Sequence, residues 1–149
     1  MTAARGQLVY GTCVALGPAA AILQGPSGSG KSDLALRFVL ETPVSLKPAL
    51  VSDDQVLVER TGDRLIVRPP STIAGQIEVR GVGIVPLPHV TEADLRLVVQ
   101  LTHPDDVPRL PVPGEETAEF QGIVLPSLRL APFEASAPLK LRLALVERI

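Results

Sequence analysis

The chain has 149 residues, of which 46% are hydrophobic, and its 14 basic and 16 acidic side chains give a net charge of −2. The aliphatic content excludes intrinsic disorder, and the absence of a basic block argues against nucleic-acid binding. No apolar run reaches the roughly 18 residues of a membrane span, and the N-terminus lacks a secretory signal pattern. We therefore expect one soluble, cytoplasmic domain over residues 1–149, without membrane or nucleic-acid partners.

The first part of the chain predicts strands and one helix around a glycine-rich turn. Residues 7–16 have a β-type composition, and the apolar run 19–23 ends just before the turn. Between Lys31 and Leu40, apolar residues recur at helical spacing, which predicts an amphipathic helix. This helix must end before Pro43, and the run 49–52 predicts the next strand.

The middle of the chain predicts further strands. Two runs, 56–59 and 65–68, flank the turn composition Thr61-Gly62-Asp63 and predict a β-hairpin. Imperfect alternation over 77–85 and high apolar content over 95–101 predict two more strands. Cys13, the single cysteine, has apolar neighbours, so we expect a buried structural thiol.

Proline punctuates the second half, since nine of the 15 prolines lie at or after Pro86. Four of them fall between positions 103 and 121, which predicts a loop rather than a helix or a central strand. The tail 139–149 fits either a strand or a helix. The sequence therefore predicts a mixed, β-rich α/β domain with one main helix. Both histidines, His89 and His103, are expected in loops without a catalytic role.

The glycine-rich turn matches the phosphate-binding pattern G-x-x-x-x-G-K-[ST] throughout, as Gly25, Pro26, Ser27, Gly28, Ser29, Gly30, Lys31 and Ser32. It lies between a predicted strand and a predicted helix, as that motif requires. Glycines let the backbone fold around an anion, and successive N–H groups point at phosphate. Lys31 would add a full charge, and Ser32 a hydroxyl for Mg²⁺. The alternative is a Gly/Ser connection without a ligand.

Two adjacent acids, Asp53 and Asp54, follow the predicted strand that ends at Ser52. On an extended segment their carboxylates would point to opposite sides and take different roles. One would serve the metal, and the other would accept a proton from an attacking hydroxyl. The alternative is an Asp-rich turn.

Three motifs in this order resemble the bacterial HPr kinase/phosphorylase family, in a short form that retains only the catalytic domain. They are the segments 25–36, 51–54 and 77–84, the last being Ile-Glu-Val-Arg-Gly-Val-Gly-Ile. The resemblance implies a P-loop nucleotide-binding domain of the HPr kinase/PEP carboxykinase-like type. It also implies ATP-dependent phosphorylation of a serine on the phosphocarrier protein HPr, and phosphorolysis of that phosphoserine by inorganic phosphate.

The resemblance also implies roles for single residues. Lys31 and Ser32 match the phosphate-binding lysine and the magnesium hydroxyl, and Glu78 matches a second magnesium ligand. Asp54 matches the carboxylate that accepts a proton in the kinase direction and donates it in reverse, with Asp53 as its neighbour. Arg109 matches an arginine that assists catalysis, although an isolated arginine in a proline loop is ordinarily solvated.

The resemblance extends to a loop near the end of the chain. The stretch 132–138 corresponds in position to a loop linked to dephosphorylation, without reproducing its sequence. In an extended segment, Glu78 and Arg80 would share one face, where the carboxylate could bind metal and the guanidinium could bind phosphate. The alternative is that the two side chains form an exposed ion pair. The resemblance is compatible with a homo-oligomer.

Tyr10 departs from the family pattern, which has histidine fifteen residues before the first glycine of the turn. The reference pKa of tyrosine is near 10, against about 6.5 for histidine, so Tyr10 cannot share a proton near neutral pH in the same way. We expect phosphoryl transfer to persist, because it depends mainly on positioning and electrostatics. The alternatives are a nucleotide-sensing module with weak or lost catalysis, or a small-molecule kinase of the same fold.

Overall fold

A computed structural model of the chain describes residues 6–70 and 74–149. Its helices are α1 (Lys31–Glu41) and α2 (Ala137–Val146), and short 3₁₀ turns lie at Val44–Leu46 and Pro104–Asp106. The strands are β1 (Gln7–Tyr10), β2 (Thr12–Leu16), β3 (Ala19–Gln24), β4 (Pro48–Ser52), β5 (Gln55–Thr61), β6 (Arg64–Arg68), β7 (Gln76–Val79), β8 (Gly83–Pro86), β9 (Ala93–Leu101), β10 (Thr117–Phe120) and β11 (Ile123–Leu130). No helix in the described part is long and apolar enough to span a bilayer.

Nine of the strands form one mixed sheet, in the order β1-β5-β6-β9-β3-β2-β4. β11 extends it by pairing with both β9 and β10, and β7 and β8 form a separate hairpin. The neighbouring strands β3, β9 and β11 pair in parallel, whereas the other strand pairs among the described residues are antiparallel. The C-terminal ends of these three strands therefore lie at the same edge of the sheet.

Strand alternation divides the core between the two faces of the sheet. On β3, Ala21 and Leu23 pack into the cluster that also contains the buried sides of α1 and α2. Ala20 and Ile22 point the other way, into a cluster built from strand side chains. Both faces of β3 are buried, which explains why its sequence is continuously apolar.

The predicted helix over 31–40 is confirmed as α1, and the predicted hairpin is confirmed as β5 and β6 around Gly62 and Asp63. The expectation of one main helix was incomplete, because the tail forms α2. Pro138 belongs to α2, so the expected loop 132–138 ends earlier than predicted.

Three strand predictions need correction. The segment 7–16 is two strands, because β1 pairs with β5, whereas β2, which begins after Gly11, pairs with β3 and β4. The segment 77–85 is a hairpin rather than one strand. The proline-rich segment was expected to be a loop up to residue 121, but β10 pairs with β11 over Thr117–Phe120. This strand begins after the last proline of the segment, so its N–H groups are free to pair.

Candidate active site

The glycine-rich turn connects the end of β3 to the first residue of α1. Gly28 and Gly30 adopt left-handed backbone angles, with φ of 81° and 96°, which favour glycine. Lys31 Nζ donates to the carbonyl oxygens of Gly25 and Pro26, at 2.9 and 3.1 Å, so the ammonium lies over the turn. The backbone geometry therefore matches the glycine-rich loop at a helix N-terminus that the sequence pattern predicts.

Asp53 is the residue that joins the turn to the acidic pair. Its Oδ1 accepts a hydrogen bond from Ser32 Oγ at 2.7 Å and another from Thr12 Oγ1 at 3.1 Å. Its Oδ2 accepts from the backbone N–H of Glu78 at 3.3 Å. Asp53 thus receives hydrogen bonds from β2, α1 and β7, and it fixes three separate segments around one carboxylate.

Thr12 was not singled out from the sequence, yet it orders both acids. Its side chain is fully buried at the start of β2, and its hydroxyl also accepts the backbone N–H of Asp54 at 3.3 Å. The sequence signal that could have identified Thr12 is its polar side chain at the start of an apolar strand, because a buried hydroxyl needs a hydrogen-bond partner. Thr12 therefore links the position of the Asp53 carboxylate to the backbone of Asp54.

Asp54 is not on an extended segment, which corrects the prediction from the sequence. Its φ is 66°, a left-handed angle that aspartate tolerates better than most residues. Its carbonyl oxygen accepts the Gly11 N–H at 2.9 Å, while its side chain is exposed and makes no hydrogen bond to any described residue. The backbone is held on both sides, and the carboxylate remains free.

Glu78 lies on β7 beside Asp53, with its own carboxylate exposed. β7 ends at Val79, so Arg80 begins the turn of the hairpin. The prediction that Glu78 and Arg80 share a face of one strand was therefore wrong. No ion pair joins these two side chains in the part of the chain that the structure describes.

Tyr10 lies beside Asp53 and Asp54, whereas Arg109 does not. Tyr10 ends β1, pairs with Gln55 across the sheet and directly precedes Gly11, which bonds to Asp54. Its side chain is 70% exposed. Arg109 is exposed in the proline-rich segment, and within residues 6–70 and 74–149 no hydrogen bond joins it to the acids or to the turn. The structure brings Tyr10, but not Arg109, beside the acidic pair.

The oxygen donors of this site fit a magnesium ion. The hydroxyl of Ser32 and the carboxylates of Asp53 and Glu78 are hard ligands of the type that Mg²⁺ prefers. In the described part of the chain, no group of three or more His, Cys, Asp or Glu side chains could hold a metal by itself. Mg²⁺ typically takes one or two carboxylates and completes its coordination with phosphates and water.

Comparison with known proteins identifies the family. The model of the HPr Serine kinase C-terminal domain matches residues 2–131. The chain belongs to this family. The HPr kinase/phosphorylase of Mycoplasmopsis pulmonis is 34% identical over 100 residues, which are 62% of this chain and 31% of the relative. That of Exiguobacterium sp. is 40% identical over 88 residues, 57% of this chain and 24% of the relative.

A solved structure shares the fold across the whole domain. It is the Hpr(Ser) kinase/phosphatase from Coxiella burnetii, with a TM-score of 0.78 and 24% sequence identity, covering 95% of each chain. The predicted family and the predicted β-rich α/β fold of this family are thus confirmed. The chain spans about a third or less of the length of the two curated relatives named above.

Proposed function

We propose that this domain, over residues 1–149, transfers the γ-phosphoryl group of Mg-ATP to a serine hydroxyl on an HPr-like phosphocarrier protein in the cytoplasm. In the reverse direction, inorganic phosphate attacks the phosphoserine, which restores the serine hydroxyl and forms pyrophosphate. The hydrogen bond of 2.7 Å between Ser32 and Asp53 carries the proposal, because it brings the phosphate-binding turn and the acidic pair into one site.

The turn would hold the phosphates of the nucleotide. Its backbone N–H groups and the N-terminus of α1 present positive dipoles, and Lys31 Nζ adds a charge within reach of the same turn. Ser32, Asp53 and Glu78 would hold Mg²⁺. When bound, the ion neutralises charge on the transferring phosphoryl group.

Asp54 would be the proton acceptor. Its exposed carboxylate has no protein partner among the described residues, so it is free to hydrogen-bond an incoming serine hydroxyl. The hydrogen bonds of Gly11 and Thr12 to the Asp54 backbone fix the position from which the side chain extends. The serine proton would pass to Asp54 as its oxygen attacks, and return from Asp54 in phosphorolysis.

Three further roles are part of the proposal. Tyr10 would approach the acceptor hydroxyl from the strand next to Asp54, through its own hydroxyl rather than an imidazole. Arg109, on the proline-rich segment, would contribute charge to the transferring group. The loop that precedes α2 would take part in the reverse reaction.

The test is incubation of the purified protein with γ-labelled ATP, MgCl₂ and an HPr-type phosphocarrier protein. Label on a carrier serine is the expected result. Tight ATP binding without label on any acceptor would instead identify a nucleotide-sensing module, and label on small metabolites would identify a small-molecule kinase.

Tyr10→His should moderately raise the rates of both phosphorylation and phosphorolysis. If activity rises from zero, the native chain has lost catalysis.

A further inference from the structure

A cavity of about 460 Å³ lies directly beside the phosphate-binding turn. The loops that follow β3, β9 and β11 enclose it, at the edge where these parallel strands end. Ligands of parallel sheets bind beyond the carboxyl ends of the strands, and the volume is within the range of small-molecule sites. The larger cavity, of about 620 Å³ between the proline-rich segment and α2, contains none of the predicted site residues.

The smaller cavity shares its wall with the turn. Pro26 and Ser29 line it from the turn, Leu101 and His103 from the end of β9, and Phe133 from the loop before α2. Ser29 Oγ is buried with no hydrogen-bond partner among the described residues. The cavity lining is mainly apolar, and this hydroxyl is a polar group without a partner on the side of the turn.

Phe133 has the features of a platform for a flat ligand. Its side chain is exposed although it is aromatic and apolar, and the residue is 72% exposed. The tip of its ring nevertheless touches the turn, because a Cβ on Gly30 would lie 3.0 Å from both Cε1 and Cζ. An aromatic ring that touches the turn at its tip and is otherwise largely exposed leaves π-surface available for stacking.

Arg37 of α1 holds the Phe133 segment in place. Its guanidinium donates to the carbonyl oxygen of Pro132 and, at 3.2 Å, to that of Glu134, so it bonds on both sides of Phe133. Its Nε bonds to Asp33 at 2.9 Å, which orients the guanidinium from the same helix. The position of Phe133 is therefore tied to the helix that starts at the turn.

We infer that this cavity binds the heteroaromatic base of the nucleotide whose phosphates the turn would hold. Phe133 would stack on the base, and Arg37 is a positioning residue that sets the platform. The shared residues Pro26 and Ser29 place base and phosphates on one continuous surface. The inference rests on the proposed function, since it requires that the turn binds a nucleoside triphosphate.

The test compares Mg-ATP with inorganic tripolyphosphate, which has the phosphates but no base, in calorimetric titrations of the full chain. Phe133→Ala should raise the Kd for ATP roughly tenfold and leave that for tripolyphosphate unchanged. Arg37→Lys should produce a smaller change of the same kind. Val44→Ala is the control, because Val44 is an 87% exposed apolar residue that does not line the cavity.

A second measurement tests the base site even if Phe133→Ala does not fold. The chain has no tryptophan, so Phe133→Trp is a single reporter whose emission should change with ATP and not with tripolyphosphate. If both ligands bind equally and the emission is constant, the base site is wrong while the phosphate site stands. A Phe133→Ala variant that raises only the KM for the carrier protein would assign the cavity to that protein instead. If neither ligand binds the wild-type chain, both proposals fail.

Discussion

Ser32 Oγ lies 2.7 Å from Asp53 Oδ1, and this contact joins the start of α1 to the segment that follows β4. The two residues are 21 positions apart, and β2 and the β7–β8 hairpin complete the surroundings of the same carboxylate. Hydroxyl and carboxylate at this separation form one small oxygen site.

Ser32→Ala should weaken the response to Mg²⁺ while leaving the fold intact. The variant removes one oxygen of the site but no buried apolar group, so unfolding in urea should change little. The Mg²⁺ concentration for half-maximal transfer should rise about tenfold or more, by analogy with the loss of groups around metal sites. Ser32→Thr, which keeps the hydroxyl, is the matched control. Equal Mg²⁺ dependence in Ser32→Ala and wild type would contradict the assignment.

Thr12→Val should reduce both stability and transfer. Valine has nearly the same shape, but it leaves an oxygen of Asp53 and the N–H of Asp54 without their buried partner. We expect the free energy of unfolding to fall by ~1–3 kcal/mol, with a parallel loss of transfer. Thr12→Ser should recover most of both, because the hydroxyl returns. A valine variant with normal transfer would mean that Thr12 does not order the acids.

Arg37→Ala should loosen the loop between β11 and α2. The variant removes the two donors to the carbonyl oxygens of Pro132 and Glu134. The amides of Glu134 and Ala137 bond to the carbonyl oxygens of Ala131 and Glu134, so their hydrogen exchange should accelerate about tenfold, or ~1.4 kcal/mol. Arg142→Ala is a control, since Arg142 ties α2 to the other end of α1 through Glu41 O at 3.0 Å. Unchanged exchange of the Glu134 and Ala137 amides in Arg37→Ala would argue against the role of Arg37.

Cys13 should report unfolding through its reactivity. The thiol is fully buried, and burial raises its pKa well above the ordinary value, so it stays protonated in the folded chain. A thiol reagent should therefore label Cys13 only after unfolding. Because the unfolded thiol releases its proton near pH 8.5, the contribution of Cys13 to stability is complete below that pH and declines above it. Cys13→Ala should remove that part of the pH dependence, and fast labelling of the native chain would contradict its burial.

The sequence predicted the parts of the fold that depend on local pattern. The turn from Gly25 to Ser32 has its glycines, its lysine and its flanking apolar strand and helix within residues 19–41. The hairpin of β5 and β6 likewise follows from a Gly-Asp turn between apolar runs. The acidic pair was placed correctly at the end of a buried strand.

Features that depend on distant partners were not predictable in the same way. α2 contains Leu139, Leu141, Leu143 and Leu145, an alternation typical of a strand. It is nevertheless a helix, because Ala137, Leu141 and Leu145 recur every four residues and are buried, in the same core cluster as residues of α1, while Leu139 and Leu143 remain exposed. The bond of Thr12 to Asp53 spans 41 positions, and only the order of β2 and β4 in the sheet creates it.

The most direct test of the proposed mechanism is transfer by Asp54→Asn. Asparagine preserves size and tolerates the left-handed backbone, but it cannot accept the serine proton. We expect transfer to fall by roughly a hundredfold or more, with the Kd for Mg-ATP unchanged. Asp63→Asn, in an exposed turn, is the control and should behave as wild type. Wild-type transfer by Asp54→Asn would contradict the account.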